Sequence, residues 1–485
     1  MILPQDLSIH TILPMVLLSA TGLAVLILGT GWSRTAFMAR WLALSGTLLA
    51  CLATAALWGR PAESFAGALV LDRFALVLHL VFQISCGITV LFSFRSARAL
   101  GRRSGEYYSL LLFCTVGMMV LTAGTNLLVI FLGLEVLSIS LYILSGIHRE
   151  RRESIEAALK YFILGAFSTC FILYGIAFLY GASGSLDLAE IGRILGRAAA
   201  RETSGFMRAG LGLMIVGFAF KIAAVPFHSW APDVYQGAPT AITGFMATAT
   251  KAAAFGGLLR VLYLSFSAPA IRETWGPVFA LLAVATMVVG NLVALAQDDV
   301  KRLLAYSSIA HAGYLLIAVA TATEAGVRGI LFYLVSYTFM TLGAFGVIGL
   351  IGQKEGKGES FSHNLAEYAG LGYRRPILAG AMTLFLLSLT GIPPTAGFMG
   401  KFYIFRAAVG SHHVGLAILG VIFSAISAYY YLNIIVYMYM KRAPREGMEP
   451  RISFAGAIGI GISLAGTLYL GLFPTGLWGL VGNLL

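Results

Sequence analysis

The stretch Lys221-Ile222-Ala223-Ala224-Val225-Pro226-Phe227-His228-Ser229-Trp230-Ala231-Pro232 puts a cation and two prolines inside an apolar run. Proline removes a backbone hydrogen bond and clashes with the turn before it. A lysine at the centre of a membrane helix costs about 2.5–3.5 kcal/mol on insertion scales. A second stretch, Thr390-Gly391-Ile392-Pro393-Pro394-Thr395-Ala396-Gly397-Phe398-Met399-Gly400-Lys401, repeats the combination in reverse, with the lysine after the prolines. Broken backbone at membrane depth survives only where it lines a cavity or is buried in protein, and transporters build their sites at such breaks. The reversal predicts an inverted-topology repeat, with the fourth to eighth helices matched to the ninth to thirteenth.

Working outward, the rest of the chain agrees with a membrane setting. Of its 485 residues 59% are hydrophobic and 11% charged, against roughly 25% charged in soluble domains. Mean hydropathy is +0.86. The apolar runs reach about 18 residues or more, enough to cross roughly 30 Å of hydrocarbon. Such runs must be helices, because backbone groups in lipid are satisfied internally. The alternation of a membrane β-barrel is absent. The expected spans are 12–29, 41–58, 74–94, 107–122, 126–147, 156–180, 208–228, 240–263, 276–296, 302–320, 328–350, 376–406, 414–440 and 453–480. The fold class is thus all-α and polytopic, with about fourteen transmembrane helices and two inverted five-helix repeats, each holding a broken helix. The expected organisation is an N-terminal three-helix region (1–106), a first repeat (107–263), a second repeat (276–440) and a C-terminal helix (453–485). Thr11 to Gly29 reads as a helix and not as a signal peptide, since no lysine or arginine precedes it and no convincing small-residue cleavage site follows it.

The net charge of +12 does not call for nucleic acid, because the basic residues lie in short loops between apolar runs. With the N-terminus outside, the cytoplasmic loops hold 19 lysines and arginines, Lys301 and Arg302 among them, and the opposite loops hold 8. The positive-inside bias then puts both termini in the periplasm. Residues 186–204 align Leu186, Leu188, Ile191, Ile194, Leu195 and Ala198 near one face, with arginines opposite, which predicts an interfacial amphipathic helix serving as a cover. The four cysteines, Cys51, Cys86, Cys114 and Cys170, lie singly in apolar segments and offer no metal-ligand spacing. No GxGxxG opens a helix after a strand, so no dinucleotide site is expected on this chain.

Only eight lysines occur, and Lys221, Lys251 and Lys401 lie deep within apolar spans. Lys160 sits one turn into the sixth helix, and Glu135 stands near the centre of the fifth. Ionisable groups in such positions are functional by default. Lysine is the informative choice, because a buried ammonium can exchange its proton near neutrality and guanidinium cannot. The row predicts a proton relay, with Glu135 as the counter-charge of Lys221. Lys160 can instead reach the interface along its aliphatic stem. His228 and His311 titrate in the right range, and His311 shares a polar face with Ser307, Ser308 and Tyr314. The remaining histidines are expected near helix ends and carry little information.

These residues also carry a resemblance. The run from Lys221 through Asp233-Val234-Tyr235-Gln236-Gly237-Ala238-Pro239-Thr240 is similar to the antiporter-like membrane subunits of respiratory complex I, the NADH–quinone oxidoreductase. Leu132-Gly133-Leu134-Glu135, Val300 to His311 and Gly391 to Lys401 support it; Pro394 departs from the family habit without touching a titrating position. The family also includes subunits of multisubunit sodium/proton antiporters, which stand as the alternative. A third possibility is a structural membrane subunit whose buried charges only pair. The resemblance implies proton translocation through Glu135, Lys221, Lys251 and Lys401. It implies a bacterial inner-membrane location, with other membrane-arm subunits, further antiporter-like ones among them, and the lipid bilayer as partners. It implies no cofactor on this chain, NADH, FMN, iron–sulfur clusters and quinone being handled by partner subunits.

Overall fold

The structure is a computed structural model, which describes residues 9–29, 35–60, 62–198, 205–354, 358–359, 363–442 and 453–482. Arg34, Arg201, Lys357, Arg445 and Arg451 of the loop tally lie outside the described residues. The first helices are α1 (Ile9–Gly29), α2 (Thr35–Ala56), α3 (Arg73–Ser93), α4 (Ser104–Ala123), α5 (Leu127–Ser145), α6 (Arg152–Ser183) and α7 (Leu188–Ala198). In the seventh expected span the helix α8 (Gly205–Lys221) stops before the prolines, and α9 (Trp230–Gly237) follows just beyond the expected end. The eighth is α10 (Thr240–Phe245), a π turn (Met246–Thr250) and α11 (Lys251–Ser265). Then come α12 (Pro269–Ala294), α13 (Val300–Ala320), α14 (Glu324–Ile351) and the single turn α15 (Leu371–Arg374). The twelfth span is α16 (Pro376–Thr390) followed by α17 (Ala396–Gly410), and the chain continues through α18 (Val414–Met440), α19 (Phe454–Leu472) and α20 (Pro474–Leu480).

Eleven helices among the described residues are long and apolar enough to cross a membrane by length and composition. The other three expected spans are the interrupted ones. Their interruption shortens each helical piece below a full crossing, so length alone does not find them. The chain is a polytopic α-helical membrane protein. Its innermost helices are α3, α10, α11, α13 and α14, while α1, α2, α6, α12, α18 and α19 turn large apolar side chains outward. Leu132, Val136, Ile139 and Ile143 form such an outward face on α5. An exposed apolar surface of this extent fits contact with lipid or other membrane helices.

Only a short turn separates the fourth and fifth spans. α4 ends at Ala123, and Asn126 caps α5 by accepting from Leu128 N at 2.9 Å. The two helices approach closely because Gly117 and Gly133 face each other's backbone. A Cβ on Gly133 would sit 2.4 Å from Leu121 N. Gly133→Ala is therefore expected to destabilise by roughly 1–3 kcal/mol, the usual cost of overpacking. Unchanged thermal stability and yield of the purified protein would contradict so close a crossing.

The amphipathic segment is helical over α7, with Leu188, Ile191 and Leu195 buried and Arg193 outward beside Glu190. It covers the ends of neighbouring helices: Leu127 N donates to Leu186 O at 2.9 Å and Ser265 Oγ to Leu188 O at 2.9 Å.

Candidate proton-transfer site

The breaks solve a backbone problem and create sites in doing so. A helix end leaves carbonyls without partners, and its C-terminus carries partial negative charge that favours a cation. At the second break, Lys401 on α17 turns back to the end of α16. It donates to Leu389 O at 3.0 Å, Thr390 O at 2.8 Å and Ser424 Oγ of α18 at 2.8 Å. The lysine thus caps its own broken helix. Gly391 makes this possible: its φ of +92° is a left-handed cap that glycine adopts freely, and Lys401 passes over the space a Cβ would take.

At the first break Lys221 is the last residue of α8. The loosened backbone is satisfied by Trp230 Nε1 donating to Phe220 O at 3.0 Å and by Val225 N donating to Thr286 Oγ1 of α12 at 3.0 Å. Lys221 itself reaches α5, donating to Ser138 Oγ at 2.8 Å and Tyr142 OH at 3.4 Å. The expected counter-charge Glu135 is not the direct hydrogen-bond partner here, although its charge acts on the lysine. No ion pair joins Glu135 and Lys221 within 4.0 Å; Glu135 is half-buried one turn before Ser138, and its Oε1 has no hydrogen-bond partner. Sequence periodicity places Glu135 and Ser138 on one face of α5, but which of them the lysine meets depends on the tilt of α8.

Lys251 follows directly on the π turn and donates to both the carbonyl and the hydroxyl of Ser308 on α13. Extra residues in a helical turn often mark functional sites; the composition of Met246–Thr250 gives no sign of it. His311, one turn further along α13, is fully enclosed. Its Nδ1 meets Tyr333 OH of α14, and its Nε2 meets Tyr431 OH of α18 at 2.9 Å. Tyr431 also bonds Ser307. Tyr314, a further turn along, lies under Lys401 with its ring centre 4.9 Å from Nζ. α13 therefore carries Ser307, Ser308, His311 and Tyr314 in helical order, between Lys251 and Lys401. The polar face expected for this helix is real, and its partners Tyr333 and Tyr431, like Ser424 beside Lys401, were not singled out in the sequence. Serine and tyrosine in the middle of apolar runs were the available signal. Between Lys221 and Lys251, aromatic rings fill the gap. Tyr142 packs on Tyr161, Tyr161 stacks on Trp230, and Trp230 touches Tyr235, which interacts with Ser308.

Lys160 does not join the buried lysines. Its side chain is 41% exposed and pairs with Glu156 and Asp233, both at 2.7 Å. Asp233 also holds Arg302 at 2.7 Å, and a cavity of about 400 Å³ opens beside them. His228 is half-buried within the first break, with Nδ1 unpartnered. Two loop residues prove structural. Lys301 is buried and donates to Ala238 O at 2.7 Å, capping α9. His363 is buried beside it; burial, and then the Lys301 charge, push its pKa down to about 2, so it stays neutral. Arg260 of α11 was also missed: it is buried in an ion pair with Asp72, the N-cap of α3. Among the described residues no three His, Cys, Asp or Glu side chains gather as a metal would need.

What this arrangement can do is hold protons. Lys221, Lys251 and Lys401 are each at most 4% exposed, and among the described residues none of them forms an ion pair within 4.0 Å. Their partners are hydroxyls and carbonyls. A serine or tyrosine hydroxyl can accept from an ammonium or rotate and donate to an amine, so it suits the lysine in either protonation state.

Residues 124–427 match the family described as NADH:quinone oxidoreductase/Mrp antiporter, TM, and the chain belongs to that family. NADH-quinone oxidoreductase subunit N of Trichlorobacter lovleyi is 46% identical, over 97% of this chain and 96% of its own length. Subunit N 2 of Roseiflexus castenholzii is 44% identical, over 97% and 95%. Among solved structures, a chain of respiratory complex I from Thermus thermophilus with bound aureothin superposes with a TM-score of 0.81 at 36% identity, covering 96% of this chain and 98% of that one. A chain of the Mrp complex from Dietzia sp. DQ12-45-1b reaches 0.85 at 22% identity, over 98% and 97%. At that identity the likeness is one of fold alone.

Proposed function

We propose that this chain is the N-type antiporter-like membrane subunit of an NADH–quinone oxidoreductase, and that it translocates protons without a redox centre of its own. The observation that carries the mechanism is the set of three buried lysines held only by neutral groups, with His311 on the helix that joins two of them. Gluing helices together needs no such set, since leucine would avoid the cost of the charge. The relay runs through Lys221, Lys251, His311 and Lys401. Glu135 acts by approaching and leaving Lys221, Lys160 belongs to the charged mouth beside Asp233, and His228 lines the first break. Electron transfer from NADH through FMN and iron–sulfur clusters to quinone belongs to partner subunits, and the neighbours in the membrane arm include further antiporter-like chains. The reading as a subunit of a sodium/proton antiporter complex is supported by fold alone, while identities above 40% favour the oxidoreductase. Purification in mild detergent tests the choice: co-purifying flavin and iron–sulfur subunits support the oxidoreductase, and their absence from an intact complex sinks it.

The two tandem helices and the lysine on either side of the break support two inverted repeats, 107–263 and 276–440, between an N-terminal three-helix region (1–106) and a C-terminal helix (453–485). Fourteen crossings would bring both termini to one side of a bacterial inner membrane, and the positive-inside bias makes that side the periplasm. A reporter fused to the C-terminus is expected to be active only in its periplasmic form. Activity of a cytoplasm-only reporter at that end would reverse the orientation.

A further inference from the structure

Away from the lysine row, α3 carries a second buried polar stripe. Asp72, His79 and Gln83 are spaced seven and four residues apart, which stacks them on one helix face. His79 is fully buried, and its Nε2 lies 3.0 Å from Met119 O of α4. A carbonyl only accepts, so Nε2 carries the hydrogen and the neutral ring presents a bare lone pair at Nδ1. That Nδ1 has no partner. One turn on, Gln83 donates to Thr54 Oγ1 of α2 at 2.8 Å, and because Thr54 gives its own hydrogen to Ala50 O, the amide orientation is fixed. Gln83 Oε1 is left buried and unpartnered. Two orphaned acceptors a turn apart are what a buried water would satisfy. The charged groups facing the ring are Asp72, whose side chain is 27% exposed at the head of α3, and Arg260, which binds Asp72 and donates to Thr122 O at 3.1 Å.

We propose that His79 is a proton-loading site on a second polar branch, leading from the α3 end that holds Asp72 and Arg260 toward the lysine row. The proposal rests on the proton-translocating function proposed above. Nδ1 takes the excess proton of a hydronium held between it and Gln83 Oε1, leaving neutral water and an imidazolium, and returns the proton to the same water. The ring cannot pass the proton through, because Nε2–H is tied to a backbone carbonyl. Asp72 supplies the counter-charge, shared with Arg260. α3 packs against α10, the π turn that precedes Lys251, and α11, so a proton loaded here lies one helix away from the row. A purely structural His79 would only pin α3 to α4.

The two roles separate in His79→Gln, whose amide can still donate to Met119 O but holds no proton. In the complete complex in liposomes, the loading site predicts a loss of protons moved per NADH oxidised at a normal level of assembly. An unchanged ratio overturns it. Should His79→Gln fail to assemble, Gln83→Met keeps His79 and its bond to Met119 while removing the second partner of the water together with the bond to Thr54, so its ratio is read per assembled complex. A lowered ratio there supports the branch and an unchanged ratio overturns it. Lys221→Ala in the same preparation keeps the two readings apart: if it pumps normally the relay itself fails, and if it does not, a normal His79→Gln condemns only the branch.

Discussion

Lys221→Ala is expected to abolish or strongly reduce proton pumping by the assembled complex, and Lys221→Arg to do nearly as badly although it keeps the charge. Guanidinium stays protonated, so arginine at 221 can hold Ser138 and Tyr142 but cannot release a proton to them. A static role predicts the opposite ranking, with arginine tolerated and alanine lost as failed assembly. The geometry already weighs against a static pair, since Lys221 donates to two hydroxyls and, among the described residues, forms no ion pair within 4.0 Å. It also changes what Glu135→Ala should do. Removing Glu135 breaks no bond to the lysine, so the complex should assemble, and the loss should appear in pumping alone. Glu135→Asp should be milder, because the charge is kept. Pumping and coupled turnover, normalised to assembled complex, decide the matter. Normal pumping by a fully assembled Lys221→Arg enzyme would leave the relay without its central residue.

Lys401 offers a second large effect that divides differently between stability and function. Lys401→Ala removes the ammonium that caps Leu389 and Thr390, leaving the Leu389 carbonyl at a buried helix end without its donor and Thr390 O with only Ser424 Oγ at 3.2 Å. Each unsatisfied buried group costs roughly 1–3 kcal/mol, and a cavity of about 640 Å³ beside Lys401 is lined by Phe398, Phe402 and Phe405 and offers little in exchange. Both the yield of complex and its pumping should fall. Lys401→Arg can still donate to the α16 carbonyls, so it should restore assembly without restoring proton transfer. Thermal unfolding and pumping measured on both variants test this. If Lys401→Arg pumps normally, Lys401 is a cap and nothing more.

The residues that bear charge, and the breaks that house them, were legible in the sequence. A lysine inside an apolar run is visible whatever the tertiary structure, because its cost in lipid does not depend on its neighbours, and a proline breaks a helix through local geometry. The amphipathic α7 and the polar face of α13 were visible for the same reason, as periodicities within single helices. The chain's membership of its family rests on those runs of residues as well.

The tertiary structure alone decided which groups each lysine meets. Glu135 and Ser138 share a face of α5, and only the approach of α8 selects Ser138. Lys160 and Lys251 both lie on apolar helices, yet packing sends one to the Asp233 cluster and encloses the other against Ser308. Lys301 looks like an ordinary loop cation, and its place beneath α9 turns it into a cap. His79 is one histidine in an apolar helix until α2 and α4 close over it. Composition and period set where along a helix a group stands, because those are properties of consecutive residues. Helix tilt and rotation, set by contacts such as Gly117 against Gly133, determine what that group faces, and they bring together residues far apart in the chain.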